Sequence, residues 1–337
     1  MNDGKAFCID SFEVRNLTQR RRLAGIFSAL GFLMLILDSK TAISGAADGV
    51  ELCLRTVIPA LFPFFVVSSV LLQCENTSPT LQKLSLRVVG LPNGADSLLL
   101  PCFLGGYPVG AQSVYQMYAN GRIPKQEAER LLAFCNNAGP AFLFGMAGQV
   151  FQTKAAPWIL WAIHIIGALT AARCVPATIS CTDCGDRLPI RRENLMKKAI
   201  ATMGTVCGWI VLFRVLIAFL DRWFFWLLPQ GVRIAFVGLL ELSNGCCELE
   251  KIADPSARFI LCSVLLAAGG ICVTAQTNSV TPGLSLRCYG LGKMIQIAVS
   301  LMLSFCVTHK TVLPLALFLP LLPLVKKSAG KKKVSVV

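Results

Sequence analysis

The sequence predicts an all-α, polytopic membrane bundle of about eight crossings plus two re-entrant or broken-helix segments. Three observations carry that prediction. Hydrophobic residues make up 55% and charged residues only 15% of 337, and mean hydropathy is +0.64, whereas an ordinary soluble domain carries roughly a quarter charged residues. The apolar residues fall in long repeated runs rather than at helical or strand periods. The basic residues stand at the ends of those runs, as the positive-inside bias places them.

The runs follow in order at residues 23–37, 57–72, 98–118, 128–150, 158–175, 199–220, 232–242, 259–280, 291–307 and 312–325. Arg20–Arg22 ahead of the first run could belong to a signal peptide, with small residues at 44–47 as its cleavage site. Asp3, Asp10 and Glu13 do not suit such a segment, so a first crossing with a cytoplasmic N-terminus is expected. The run at 232–242 is short, and counts as a crossing only if 243–248 is buried with it. Trp158, Trp161, Trp223 and Trp226 suit the interfaces.

The formal net charge is +14. Arg187, Arg191, Arg192, Lys197 and Lys198, and then Lys326, Lys327 and Lys331–Lys333, repeat the basic flank of the N-terminus. This charge describes topology and attraction to a lipid leaflet, not nucleic-acid binding. It divides the chain into an N-terminal segment 1–22, a first membrane half 23–175, a basic loop 176–198, a second half 199–325 and a tail 326–337, the three basic regions being cytoplasmic. Five runs lie in each half, so one run per half must enter and leave on one face. The glycine-bearing runs 98–118 and 259–280 are the candidates for re-entrant hairpins.

Those two runs also resemble each other: Gly105–Ser113 reads GGYPVGAQS and Gly269–Thr277 reads GGICVTAQT. Paired Gly/Pro-interrupted segments in two halves are a pointer to a transporter site, and any duplication is legible only around these two GG motifs. Gly105, Gly106, Pro108 and Gly110 should break one helix, and Gly269 and Gly270 another, because glycine relaxes φ and proline removes a donor. Close packing through small residues is the alternative. Gln112 and Gln276 follow the breaks and would bind a solute or bond neighbouring backbone.

Asn120-Gly121-Arg122-Ile123-Pro124 reads as a turn and a helix start, with Lys125, Glu129 and Arg130 on a solvated face. That helix meets Asn136 and Asn137, then Gly139-Pro140. Two adjacent amides are too costly to face lipid, so a polar binding site is favoured over an interhelical clamp. Glu241 and Asn244 in the ELSNG segment are ion- or solute-binding candidates, with a headgroup position for Glu241 as the alternative. His164 is read as a packing histidine.

Fifteen cysteines lie mostly within apolar runs and behave as small hydrophobes. Cys181 and Cys184 have metal-like spacing but lack a second ligand pair, so neither a metal nor any other cofactor is expected. With two histidines and no catalytic motif, an enzyme is not expected.

The GYPVGA of Gly106–Ala111, the EAERLL of Glu127–Leu132, and Asn136-Asn137 with Gly139-Pro140 resemble the sporulation integral membrane protein family of the YlbJ type, of the nucleoside-recognition or gate superfamily. The ELSNG of Glu241–Gly245 and GGICVTAQ of Gly269–Gln276 fit as well. The resemblance implies a multi-pass protein in the membrane of an endospore-forming bacterium, needed for spore cortex or envelope formation. Its implied partners are the lipid bilayer, an unidentified small solute that is nucleoside-like only by family analogy, and other sporulation membrane proteins. Solute passage or gating at a midplane site is the leading expectation. A non-transporting scaffold for spore-envelope machinery is the rival, and an enzyme on lipid-linked substrates a weaker one.

Overall fold

A computed structural model describes residues 22, 25–26, 28–73, 79–91, 95–151, 153–175 and 195–311. Cys181, Cys184, the basic residues 187–192, the run at 312–325 and the lysine tail lie outside the described residues. All regular structure among those described is helical.

Six segments are long and apolar enough to cross a membrane: Ser39–Leu72, Lys125–Val150, Ala156–Cys174, Leu195–Trp223, Pro255–Val280 and Arg287–His309. A shorter apolar helix α1, Ser28–Leu37, precedes them. The run expected at 57–72 is the second part of a longer path, made of α2 (Ser39–Leu52), a π-helical turn (Cys53–Val57) and α3 (Ile58–Gln73). Asp38 caps α2, its Oδ1 accepting from the Thr41 amide at 3.4 Å. An amphipathic helix α4 (Pro79–Val89) follows, with α5 (Leu99–Leu104), α6 (Val109–Ala119), α7 (Lys125–Cys135), α8 (Pro140–Val150) and α9 (Ala156–Cys174) completing the first half. The second half holds α10 (Leu195–Trp223), α11 (Gln230–Leu240), α12 (Leu242–Glu248), α13 (Pro255–Ala268), α14 (Gly270–Val280) and α15 (Arg287–His309). Apolar side chains point outward as a lipid-facing belt, including Trp158, Trp223 and Trp226.

The chain reverses direction inside both halves. In the first, α6 packs on α5 and on the 3-10 turn Asp96–Leu98 that precedes it, so Gly105–Pro108 is the tip of a helical hairpin, with Gly106 at φ +86°. In the second, the reversal is at Glu241, between α11 and α12. Gly245 lies directly on Gly238, and Arg233 at the start of α11 pairs with Glu248 at the end of α12. The expectation of a re-entrant hairpin at 259–280 is therefore corrected. That segment is one helix broken at Gly269 and Gly270, which have φ of +71° and +85°. Its two parts diverge, α13 onto α15, α9 and α11, and α14 onto α10, α6 and α11. Lys125–Val150 is broken in the same way at 136–139, where the backbone is extended.

Hairpin, broken helix and long helix thus recur in that order as α5–α6, α7/α8, α9 and as α11–α12, α13/α14, α15. The packing repeats as well: α7 meets α15 as α13 meets α9, α8 meets α12 as α14 meets α6, and α9 meets α15 between the halves. The GG motifs that match in sequence occupy different places in this repeat, one at a hairpin tip and the other at a helix break. Their match is not the structural one.

Arg130 does not join the expected solvated face. It is 2% exposed and Glu127 3%; their side chains form a two-nitrogen ion pair, with Arg130 Nε at 2.9 and 3.0 Å from the carboxylate oxygens. Arg130 Nη2 also donates to the Gly90 carbonyl at 2.7 Å, tying α7 to the end of α4. Glu129 in turn accepts from the Ser285 amide at 2.9 Å. Breaking a buried pair leaves one charge uncompensated, so Glu127→Ala is expected to destabilise by about 3–5 kcal/mol. Thermal unfolding in detergent would show it as a much earlier transition than for Lys125→Ala, whose side chain lies on the exposed side of the helix.

Candidate functional site

A helix broken inside a membrane frees carbonyls and amides that water cannot reach, and side chains must satisfy them. At the α7/α8 break four such groups have a side-chain partner. Gln296 Nε2 donates to the Ala133 carbonyl at 3.1 Å. Asn137 Nδ2 donates to the Phe134 carbonyl at 2.6 Å and, across to α5, to the Cys102 carbonyl at 2.9 Å. Lys293 Nζ donates to the Asn136 carbonyl at 2.8 Å. The Ala138 amide donates to His164 Nε2 at 2.9 Å, which places the proton of a neutral imidazole on Nδ1.

Lys293 reaches further. Its ammonium also donates to Tyr107 Oη at 2.9 Å and Gln296 Oε1 at 3.1 Å, so three acceptors meet its three protons. Tyr107, from the first hairpin tip, donates onward to the Leu266 carbonyl at 2.9 Å. That carbonyl belongs to the last turn of α13, just before the second break. One buried lysine therefore fastens both broken helices and a hairpin tip together.

The tips and breaks touch. Gly139 lies against Gly106, 2.9 Å separating the Cα of Gly106 from the place a Cβ on Gly139 would take. Gly270 is as close to the Leu239 carbonyl, beside the second tip. Between them is a cavity of about 40 Å³, lined by Tyr107, Gly139, Glu241, Ser243 and Gln276 and walled by Val57, Leu61, Val206 and Ile210. It has room for a few waters.

Glu241 is 2% exposed and stands at the second hairpin tip. Its Oε1 accepts from the Ser243 amide at 3.1 Å, and Oε2 from the Asn244 amide and Nδ2 at 2.7 and 2.9 Å. Carboxylate oxygens capping the start of α12 fit the orphan amides there.

Of the residues singled out in the sequence, Glu241, Gln276 and Gly139 line this cavity, and Asn244 is held on Glu241. Gln276 Nε2 lies 3.3 Å from Cys272 Sγ. Asn136 stands at the break and donates to Thr277 Oγ1 at 2.8 Å. The Oδ1 atoms of Asn136 and Asn137 are buried without a partner. Gln112 is drawn elsewhere, donating to Thr202 Oγ1 of α10 at 2.7 Å. Gly105, Gly106 and Pro108 form the first tip, Gly110 sits under the Cys135 carbonyl, and Pro140 opens α8. Gly269 and Gly270 form the second break.

Sequence reasoning passed over Lys293, Tyr107 and Gln296 and read His164 as mere packing. A signal for the first was present: a lysine three residues before a glutamine at the start of an otherwise apolar run puts two long polar side chains on one helix face.

With this geometry in view, the chain can be set beside known proteins. It is similar to a sporulation membrane protein. The relative is the sporulation integral membrane protein YlbJ of Bacillus subtilis (strain 168), 26% identical over 139 residues. The match covers 40% of this chain and 34% of the relative, so it spans about a third of that protein's length. No family model matches the chain, and no solved structure matches it.

Proposed function

We propose that this chain is a gate- or transporter-like membrane protein of sporulation that passes a small solute through the cavity between its broken helices. The observation that carries this reading is the convergence of two hairpin tips and two helix breaks on one small cavity, mostly apolar but with Glu241, Ser243 and Gln276 in its lining. Interrupted helices that meet near the membrane middle are the usual construction of a transporter site. Three segments long enough to cross, Lys125–Val150, Ala156–Cys174 and Leu195–Trp223, separate the two hairpins, so in this reading their mouths open to opposite faces. Alternating exposure of the cavity would follow from rocking one half against the other. The sporulation context rests on the similarity to YlbJ, and a nucleoside-like solute on family resemblance alone. Cytoplasmic termini and the absence of any catalytic step belong to the same proposal.

Gln276 and Ser243 line the cavity without holding the helix breaks together, which makes them the residues to test. In an endospore former carrying this chain as its only copy, Gln276→Ala with Ser243→Ala is expected to lower heat-resistant spore counts by about tenfold or more while membrane levels stay normal, since losing a buried polar contact costs ~1–3 kcal/mol. Unchanged spore counts at normal protein level would speak against the cavity as a working site. One observation favours the rival scaffold reading: the polar side chains at the first break are largely committed to backbone groups. Under that reading this double variant is silent, whereas Asn136→Ala with Asn137→Ala fails through misfolding.

A further inference from the structure

α2 and α10 approach backbone to backbone. A Cβ placed on Gly45 or Gly49 would lie 2.9 Å from Ala218 or Val211 of α10, the signature of small-residue packing in a bilayer. This contact brings charges to the flank of two segments that cross. Arg214 Nη2 of α10 is 3.1 Å from Asp48 Oδ2 of α2, and Arg55 Nε is 3.0 Å from Glu51 Oε1. Charged side chains within spanning segments are tolerated where they face protein or water. Here they line a cleft of about 260 Å³ together with Thr56 and Asn244. Its rim includes the π-helical turn, a feature concentrated at functional places in helices.

Asn244 is the inner wall of that cleft. Its other contact is Glu241, which lines the smaller cavity beyond. Glu241 therefore lines the smaller cavity and is separated from the open polar cleft by one residue, Asn244. We propose that the cleft conducts protons to Glu241, and that protonation of this carboxylate is the step coupled to movement of the second hairpin tip.

The step balances simply. A hydronium admitted past Asn244, whose amide only donates to Oε2 and cannot itself relay a proton, gives one proton up and becomes water. An O–H bond forms at Glu241 Oε1, and the side chain goes from −1 to neutral. Oε1 accepts a single bond, from the Ser243 amide, and retains a lone pair for the proton, while Oε2 keeps both bonds from Asn244. A hard metal cation would need a shell of oxygens, and the groups presented to this carboxylate are N–H donors. The titratable neighbours are Arg214 of α10, the thiols Cys53 of the π turn and Cys272 of α14, and Cys246 and Cys247 on its own helix. Cys262 of α13 lies behind Cys246. α8 carries no titratable side chain, and the Arg233 of α11 is engaged with Glu248 and Asp221 at the far end of the hairpin.

The link to a solute rests on the function proposed above; proton binding does not, and can be measured without a solute. Full-length protein in proteoliposomes on a solid-supported membrane would be given a rapid acid step. The expected result is a transient charge displacement that Glu241→Gln abolishes and Glu241→Asp keeps, all three eluting as one monodisperse species. Attaching a membrane-impermeant thiosulfonate to Thr56→Cys should block the displacement, and reduction should restore it, while the same reagent leaves the unsubstituted protein unaffected. A sodium step at constant pH should move no charge. Full displacement in Glu241→Gln, or displacement indifferent to the plug at position 56, would overturn the proposal, as would a sodium-driven signal. If cavity thiols still alternate in exposure in that case, passage survives and the proton route alone fails; proton displacement without such alternation has the opposite meaning.

Discussion

Lys293→Met is expected to lower the apparent melting temperature in detergent by about 10 °C, the largest loss for any single cavity-region side chain. Methionine matches the length of lysine but donates nothing. The Asn136 carbonyl, Tyr107 hydroxyl and Gln296 carbonyl oxygen would each lose a donor at 2.8, 2.9 and 3.1 Å. Each buried acceptor left without a partner costs ~1–3 kcal/mol, and a kilocalorie moves the transition of a domain this large by about 2–4 °C. The ring of Tyr107 also loses a cation 4.6 Å from its centroid. The effect should be more than local, because Tyr107 is the link from Lys293 to the second break. Differential scanning fluorimetry of Lys293→Met beside Tyr107→Phe checks this. Tyr107→Phe removes one arm of the network and should shift the transition by less; equal shifts would mean that Lys293 acts through Tyr107 alone.

Gly110→Val should yield no monodisperse protein. In α6 the backbone at Gly110 sits against the Cys135 carbonyl, and a Cβ would overlap that oxygen and lie 2.8 Å from the carbonyl carbon. Neither neighbour is the tip of a flexible side chain. Both belong to the end of α7, where the break begins, so relief would require moving the first hairpin off the broken helix. Gly204→Ala in α10 is the control: nothing lies within 4 Å of its added methyl, and a helical glycine replaced by alanine gains about 0.5–1 kcal/mol. Fluorescence-detected gel filtration distinguishes the two directly.

The bundle and most of its breaks were legible in the sequence because they follow from composition. Apolar runs announce crossings, and a Gly-Gly-x-Pro or Asn-Asn-x-Gly-Pro segment inside one cannot remain a regular helix. Whether a break reverses the chain or merely interrupts it was not legible. Gly269-Gly270 and Gly105-Gly106 look alike as letters, yet only the latter is a hairpin tip, since the outcome depends on what each arm packs against. The second hairpin was hidden for a related reason. Its turn is made by Glu241, a residue that caps α12 with its own carboxylate, and its two arms are matched by Gly238 and Gly245 seven positions apart. No local turn signal marks either feature. Lys293 and His164 were missed because the backbone groups they hold, the Asn136 carbonyl and the Ala138 amide, lie on a distant segment and are freed by a break whose neighbours are not encoded nearby.

Solute passage through the cavity is tested most directly by reading its exposure from the two sides of the membrane. Of the native thiols near the interruptions, Cys102 and Cys135 pack within one apolar cluster, while Cys272 is buried beside Gln276, so a placed probe is better. Ser243→Cys, in a version of the chain without other cysteines, puts a thiol on the cavity wall. A membrane-impermeant maleimide would be applied to intact cells and to inverted vesicles. Alternating exposure predicts labelling from both sides, with each orientation slowed when the hairpin is held by a cross-link on the opposite face. Labelling from neither side, in protein that remains folded and membrane-inserted, would contradict passage and leave a closed scaffold.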